Sequence, residues 1–156
     1  MTTLPLCVLN IKAATMNDFN SKKVSIKNTI EEIQIAIQAF EEFAEETNMP
    51  MATMMKINIV LDELLSNIVK YGFPEDKAGK IDVNLELFSS GKLTIVLSDR
   101  GVPFNPFQTA RPDVNMDLDE RDIGGLGIHL VKELMDEYSY QRTLDLNVVS
   151  MTKHKS

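Results

Sequence analysis

The sequence predicts an α+β fold: two layers, with helices on one face of a mixed, mostly antiparallel sheet. Three observations carry this. Two long stretches with apolar residues at helical spacing follow one another directly, near residues 30–46 and 51–71. Two strand pairs with intervening turns stand at 81–97 and 138–151. The resulting order is strand, two helices, two strands, loop, helix, two strands, which suits helices gathered on one side of a sheet.

Each element has a local reason. Residues 22–26 alternate polar and apolar side chains and read as a strand. Asn28 is placed as an N-cap, with Glu31 three residues on as its capping-box partner. Ile30, Ile33, Ile37, Phe40 and Ala44 then form a helical stripe that ends at Asn48-Met49-Pro50. A second helix is predicted over 51–71, with Ile57, Leu61, Leu64, Leu65 and Ile68 inward, stopped by Gly72-Phe73-Pro74. Ile81, Val83, Leu85 and Leu87 alternate as a half-buried strand should, Ser89-Ser90-Gly91-Lys92 turns the chain, and 93–97 returns. Residues 104–122 are rich in Pro, Asp and Asn and lack a period, a long loop of the kind that is usually functional or disordered. A third helix is predicted over 127–138, then a closing hairpin and a short basic tail from Thr152.

At 156 residues the chain suits one domain. Residues 21–156 are read as that domain and 1–20 as an N-terminal extension. Met16 offers a second possible start, which leaves 1–15 as upstream extension or a small extra strand. Hydrophobic residues make up 44% and charged residues 25%, ordinary for a globular protein. The net charge of −7 argues against nonspecific nucleic-acid binding, since phosphate backbones select basic surfaces. It does not oppose a local phosphate nest. The single cysteine, Cys7, excludes an internal disulfide and a cysteine-based zinc site. His129 and His154 are too few and too far apart for a histidine-rich metal site. No apolar run approaches the ~18 residues of a membrane span. Residues 4–9 lack the basic flank of a signal peptide and contain Pro5. A cytoplasmic, non-membrane protein is expected.

Three segments carry candidate chemistry. Glu63 and Asn67 are four residues apart, so on a helix they share a face beside the apolar stripe. A carboxylate there can take a proton from a hydroxyl, and an amide oxygen can ligate Mg²⁺, a hard cation. Taken alone, the pair also suits a solvated helix face. Asp99 ends an apolar strand, and Gly101 leaves room for close approach, so the carboxylate could accept a hydrogen bond from an exocyclic amine such as N6 of adenine. Asp-Arg-Gly is equally a common strand exit. Val102 and Pro103 begin a stiff segment able to wall a base pocket. Gly124-Gly125-Leu126-Gly127 opens a helix, where backbone N–H groups and the helix dipole favour phosphate. A flexible helix start would look the same. Neither a Rossmann nor a Walker spacing is present. His129 is expected to be a core or surface histidine. The acidic residues Asp113, Asp117, Asp119, Glu120 and Asp122 do not match a calcium loop and suit a solvated segment. The nine methionines are expected to fill core gaps, some facing a partner.

In this order, and with Asp62-Glu63-Leu64-Leu65-Ser66-Asn67, Asp99-Arg100-Gly101-Val102-Pro103-Phe104 and Gly125-Leu126-Gly127-Ile128-His129-Leu130-Val131, the three segments resemble the N-box and two glycine boxes of the GHKL superfamily. That superfamily joins gyrases, heat-shock chaperones, histidine kinases and mismatch-repair ATPases. Within it the chain looks like the anti-sigma factor serine kinases of the RsbW and SpoIIAB type, from Lys22 to Lys153. The resemblance implies the Bergerat ATP-binding fold, ATP and Mg²⁺ as ligands, Glu63 as general base and Asn67 as metal ligand. It implies that Asp99 reads adenine beside Gly101, Val102 and Pro103. Gly124, Gly125, Leu126 and Gly127 would lie under the phosphates, with 104–122 as the lid. Arg111 and Arg121 in that lid are both candidates for the γ-phosphate. The implied partners are an anti-sigma-factor antagonist, phosphorylated on Ser or Thr, and a sigma factor, with the chain itself a homodimer. Asn105 stands where the family often has aspartate and Tyr71 where it often has histidine; neither removes a catalytic group.

The leading expectation is therefore an ATP-dependent protein serine/threonine kinase that also binds a sigma factor. The alternative is a non-catalytic ATP- or ADP-binding module that sequesters a partner.

Overall fold

The computed structural model describes residues 18–108 and 123–155, with the backbone alone for 123–126. The proposed extension 1–15, Arg111, Arg121 and the acidic cluster lie outside the described residues.

Five strands form one sheet: β1 (Phe19–Lys27), β2 (Lys80–Phe88), β3 (Leu93–Asp99), β4 (Glu137–Thr143) and β5 (Leu146–Lys153). Their order is β1-β2-β3-β5-β4, and each of the four pairings is antiparallel. Three helices lie in the other layer: α1 (Ile30–Glu46), α2 (Met51–Tyr71) and α3 (Ile123–Leu134). A short 3₁₀ turn, Pro106–Gln108, buries Pro106 and Phe107, the latter against the Tyr138 ring.

The sheet has one apolar face because its strands alternate. Val24 and Ile26 of β1, Ile81, Val83 and Leu85 of β2, Leu93, Ile95 and Leu97 of β3, and Val149 and Met151 of β5 point to the helices. Against them pack Phe40 and Phe43 of α1, the predicted inner stripe of α2 with Val60, and Ile128 and Val131 of α3. α2 is the central helix and touches both others.

Several local expectations are revised. Asn28 does not cap α1; Thr29 occupies that position, without a side-chain cap bond. The Asn28 side chain instead clamps the loop before β2, donating to the Lys77 carbonyl at 2.8 Å and accepting from the Gly79 N–H at 2.9 Å. Glu32, not Glu31, reaches back, to the Lys27 N–H. The buried face of α1 is turned towards Ala36 and Phe43, which leaves Ile30 51% exposed. α3 starts four residues before the expected point and ends at Leu134, so Tyr138 belongs to β4. Among the methionines, Met135 and Met151 are buried, Met49 and Met54 line the core, and Met51 and Met55 are exposed.

Candidate functional site

The central helix sets the site. Its buried face takes Leu61, Leu64, Leu65 and Ile68, so Glu63 and Asn67 fall one turn apart on the flank that meets α3. Glu63 is half-buried. Desolvation by burial, with repulsion from Asp62, holds its carboxyl above the usual carboxylate range, and Lys70 opposes the shift. Such a group is better suited to accept a proton near neutral pH than an exposed glutamate. Asn67 is only 4% exposed, and its Nδ2 finds no hydrogen-bond partner among the described residues. A buried amide with an idle end is costly, at about 1–3 kcal/mol, unless a ligand completes it.

α3 brings its glycine run to the same place. A Cβ built on Gly127 would fall on the Glu63 carboxylate, so glycine here lets the Glu63 side chain lie against the α3 backbone. Gly124, Gly125 and Leu126 lie in the first turn, not before it. The first N–H groups of a helix have no acceptor within it, so this placement puts the glycine backbone among the donors at the positive end of the dipole.

Asp99 closes the inward-facing series of β3 after Leu97 and is buried at 5% exposure. The strand exit is tied to the end of α2. The Val102 N–H donates to the Gly72 carbonyl at 2.8 Å. A Cβ on Gly101 would collide with that same carbonyl and lie 2.9 Å from Asp99 Oδ1. Close approach at Gly101 is thus made to the protein's own backbone. Val102 and Pro103 are exposed, and the Tyr71 and Phe104 rings meet at 5.7 Å beside them. A cleft of about 710 Å³ opens next to Asp99, between Phe73, Gly79, Ser98 and Arg100. Of the candidate site residues only Asp99 lines it; Glu63, Asn67 and Gly127 do not.

Along α2, then, Glu63 meets Gly127, Asn67 follows one turn later, and Gly72 meets Gly101 and Val102. The rise from residue 63 to residue 72 is about 13 Å. One helix therefore carries the contacts of both glycine segments.

Three residues of the site escaped sequence reasoning. Asn147 of β5 lies directly opposite Asp99 and is 2% exposed. Its Nδ2 donates to Asp99 Oδ1 at 3.0 Å and to the Val102 carbonyl at 2.8 Å. Its Oδ1 accepts from the Tyr140 hydroxyl at 2.6 Å and from Arg142 at 3.0 Å. Arg142 also donates to the Gly101 carbonyl at 2.9 Å, and the Tyr140 hydroxyl accepts from the Phe104 N–H at 3.2 Å. A usable signal existed: β3 and β5 both interrupt an inward apolar alternation with a polar residue, and at the same end of the sheet.

His129 lies on the exposed side of α3, 3.4 Å from Glu133, away from the site. Among the described residues no group of three or more His, Cys, Asp or Glu could hold a metal, and no helix is long and apolar enough to cross a membrane.

Known proteins resemble this chain in sequence and in fold. Residues 26–153 match the family model described as the histidine kinase-like ATPase domain. The serine-protein kinase RsbW of Listeria monocytogenes is 27% identical over 146 residues, covering 90% of each chain. The serine/threonine-protein kinase BtrW of Bordetella bronchiseptica is 28% identical over 64% of this chain and 70% of its own. RsbW of Bacillus subtilis is 29% identical over 63% of this chain and 62% of its own, so that match spans less than two thirds of the relative. Among solved structures, the RsbU and RsbW domains of a Mycobacterium tuberculosis protein align with a TM-score of 0.63 at 16% identity, over 86% of this chain and 32% of that one. The SiaB–SiaC complex from Pseudomonas aeruginosa gives 0.61 at 14% identity, over 97% and 100%. At such identities these likenesses are of fold, a layer of helices on a five-stranded antiparallel sheet. The family model, by contrast, spans most of the sequence and all three helices, and by that measure the chain belongs to the histidine kinase-like ATPase domain family.

Proposed function

We propose that this chain binds ATP with Mg²⁺ and phosphorylates a serine or threonine of an anti-sigma-factor antagonist, and that it also binds a sigma factor. The contact between Glu63 and Gly127 carries the reading. It sets a proton acceptor against the backbone donors of a helix start, where a terminal phosphate and an attacking hydroxyl can meet. The names of the relatives, all protein kinases, support the activity. A complex among the structural neighbours supports partner binding.

Asp99 would accept the adenine amine, with Gly101, Val102 and Pro103 forming the strand exit beside the base. The first-turn N–H groups at Gly124, Gly125 and Leu126 would hold phosphate oxygens, with Gly127 leaving room beneath them. Asn67 fits the site through both ends of its amide: its Oδ1 is the oxygen type a hard cation takes, and its unpartnered Nδ2 is a donor open to a phosphate oxygen; when bound, Mg²⁺ would neutralise phosphate charge. Glu63 would take the proton of the partner's hydroxyl as that oxygen bonds to the γ-phosphorus. The bond from the γ-phosphorus to the bridging oxygen breaks, and ADP leaves. Positioning and charge neutralisation would supply most of the rate. A homodimer in the cytoplasm completes the reading.

The experiment is a pull-down with the full chain, ATP and Mg²⁺, followed by phosphosite mapping on the retained protein. Glu63→Ala should still bind ATP but transfer no phosphate to that protein. Transfer at the wild-type rate would remove Glu63 from the mechanism. Tight partner binding by the wild type with the γ-phosphate left on ATP would replace the kinase with a sequestering module.

A further inference from the structure

We propose that Asn147, held by Tyr140 and Arg142, is a positioning residue that sets Asp99 to select a purine with an amine at C6 over one with a carbonyl there. The inference rests on the nucleotide-binding reading above and adds a device for base discrimination to it.

The Asn147 amide has no spare capacity. Both of its hydrogens are used, on Asp99 Oδ1 and the Val102 carbonyl, and its oxygen takes two donors, the Tyr140 hydroxyl and Arg142. Its orientation is dictated, because arginine can only donate and so must face the oxygen. The nitrogen is thereby turned to Asp99. A fully satisfied buried network is rigid, and an amide locked in this way does not rotate to follow its neighbour.

The consequence falls on Asp99. Its Oδ1 accepts from Asn147 and from the Gly101 N–H at 2.8 Å. Among the described residues no donor reaches Oδ2. Two donors on one oxygen fix the carboxylate plane, and a carboxylate accepts hydrogen bonds and offers none. The remaining oxygen can then receive an N–H from a C6 amine. A C6 carbonyl would face it acceptor to acceptor, and a buried polar site rejects an analogue it cannot pair. Without Asn147 the carboxylate loses one of the two bonds that fix its plane and could turn away from the amine.

The same residues also hold the strand exit. Arg142 bonds the Gly101 carbonyl, Asn147 the Val102 carbonyl and Tyr140 the Phe104 N–H. The β4–β5 hairpin thus clamps residues 99–104 as a unit, so the base-reading carboxylate and the first residue of the 104–122 segment share one support.

The test is calorimetric titration of the full chain with Mg²⁺ and either ATP or ITP, which differ at C6 and in the proton that ITP carries on N1. Wild type should prefer ATP strongly. Asn147→Ala should lose about ten- to hundredfold in ATP affinity, the range for one hydrogen bond to a charged group, while ITP affinity changes little. The preference then collapses. Tyr140→Phe keeps the ring and removes one bond to Asn147, so it should give a smaller loss in the same direction; it serves if Asn147→Ala does not fold. Equal weakening of ATP and ITP in either variant would mean a structural role only and overturn the proposal. Equal binding of both nucleotides by wild type would overturn it too, with the nucleotide site intact. Binding of neither by wild type would instead refute the nucleotide reading on which it rests.

Discussion

Alanine at position 127 puts a methyl group where the Glu63 carboxylate lies, and the outcome can be worked out from two opposed effects. In the helix, alanine is favoured over glycine by about 0.5–1 kcal/mol. Forcing a methyl into occupied space costs about 1–3 kcal/mol. The colliding atoms are Cγ, Cδ and Oε1 of Glu63, a side chain that is only half-buried and can swing aside. The net loss in an otherwise unchanged chain should therefore stay below about 2 kcal/mol. In a Glu63→Ala background all three colliding atoms are gone, and only the helical gain remains. Gly127→Ala should destabilise the native sequence and stabilise the Glu63→Ala variant. The coupling between the two sites should be about 1–3 kcal/mol. Urea unfolding of the four proteins of the cycle measures it. Independent sites add to within about 0.3–0.5 kcal/mol; a cycle that closes within that margin would show that the two helices do not meet at this pair. The catalytic reading adds a second observable. If Glu63 is the base, its displacement should lower phosphotransfer by the ~10²–10⁴ expected of general-base loss, even where the stability change is small.

The remaining expectations follow from the same geometry. Gly101→Ala meets backbone, the Gly72 carbonyl, which cannot swing aside, so it should cost more than Gly127→Ala. About 1–3 kcal/mol is expected, with weaker amide protection at Val102, whose bond to Gly72 is the one displaced; unchanged protection there would contradict the packing. Folding raises the pKa of Glu63, chiefly by burial, so the folded state binds that proton more tightly than the unfolded chain. Its contribution to stability is present below the ordinary glutamate value of ~4.3 and is lost as pH rises through the folded value. Glu63→Gln should then be more stable than wild type near neutrality, with the gap closing on acidification towards pH 4. A gap that widened in acid would reverse the assigned sign.

What the sequence made legible is what depends on neighbours along the chain. α2 runs from Met51 to Tyr71 as its period requires, because one continuous stripe decides which face is buried. The β2–β3 pairing is equally plain, since a short turn fixes its register. Residues that serve distant partners were harder to read. Asn28 has the sequence context of a capping box, yet its amide has two backbone partners 49 and 51 residues away, and a long-range pair of bonds displaced the local one. Asn147 has no local motif at all. Its meaning arises only because β5 pairs with β3, across 48 residues, in the register that sets it against Asp99. A one-residue slip would turn its side chain to the helix-free face and leave Asp99, Tyr140 and Arg142 without it. The register is held in turn by Val149 and Met151, which the core requires to face inward. Apolar packing along β5 therefore selects the alignment in which the polar network closes, so the carboxylate that would read the base is positioned by the same alternation that builds the core.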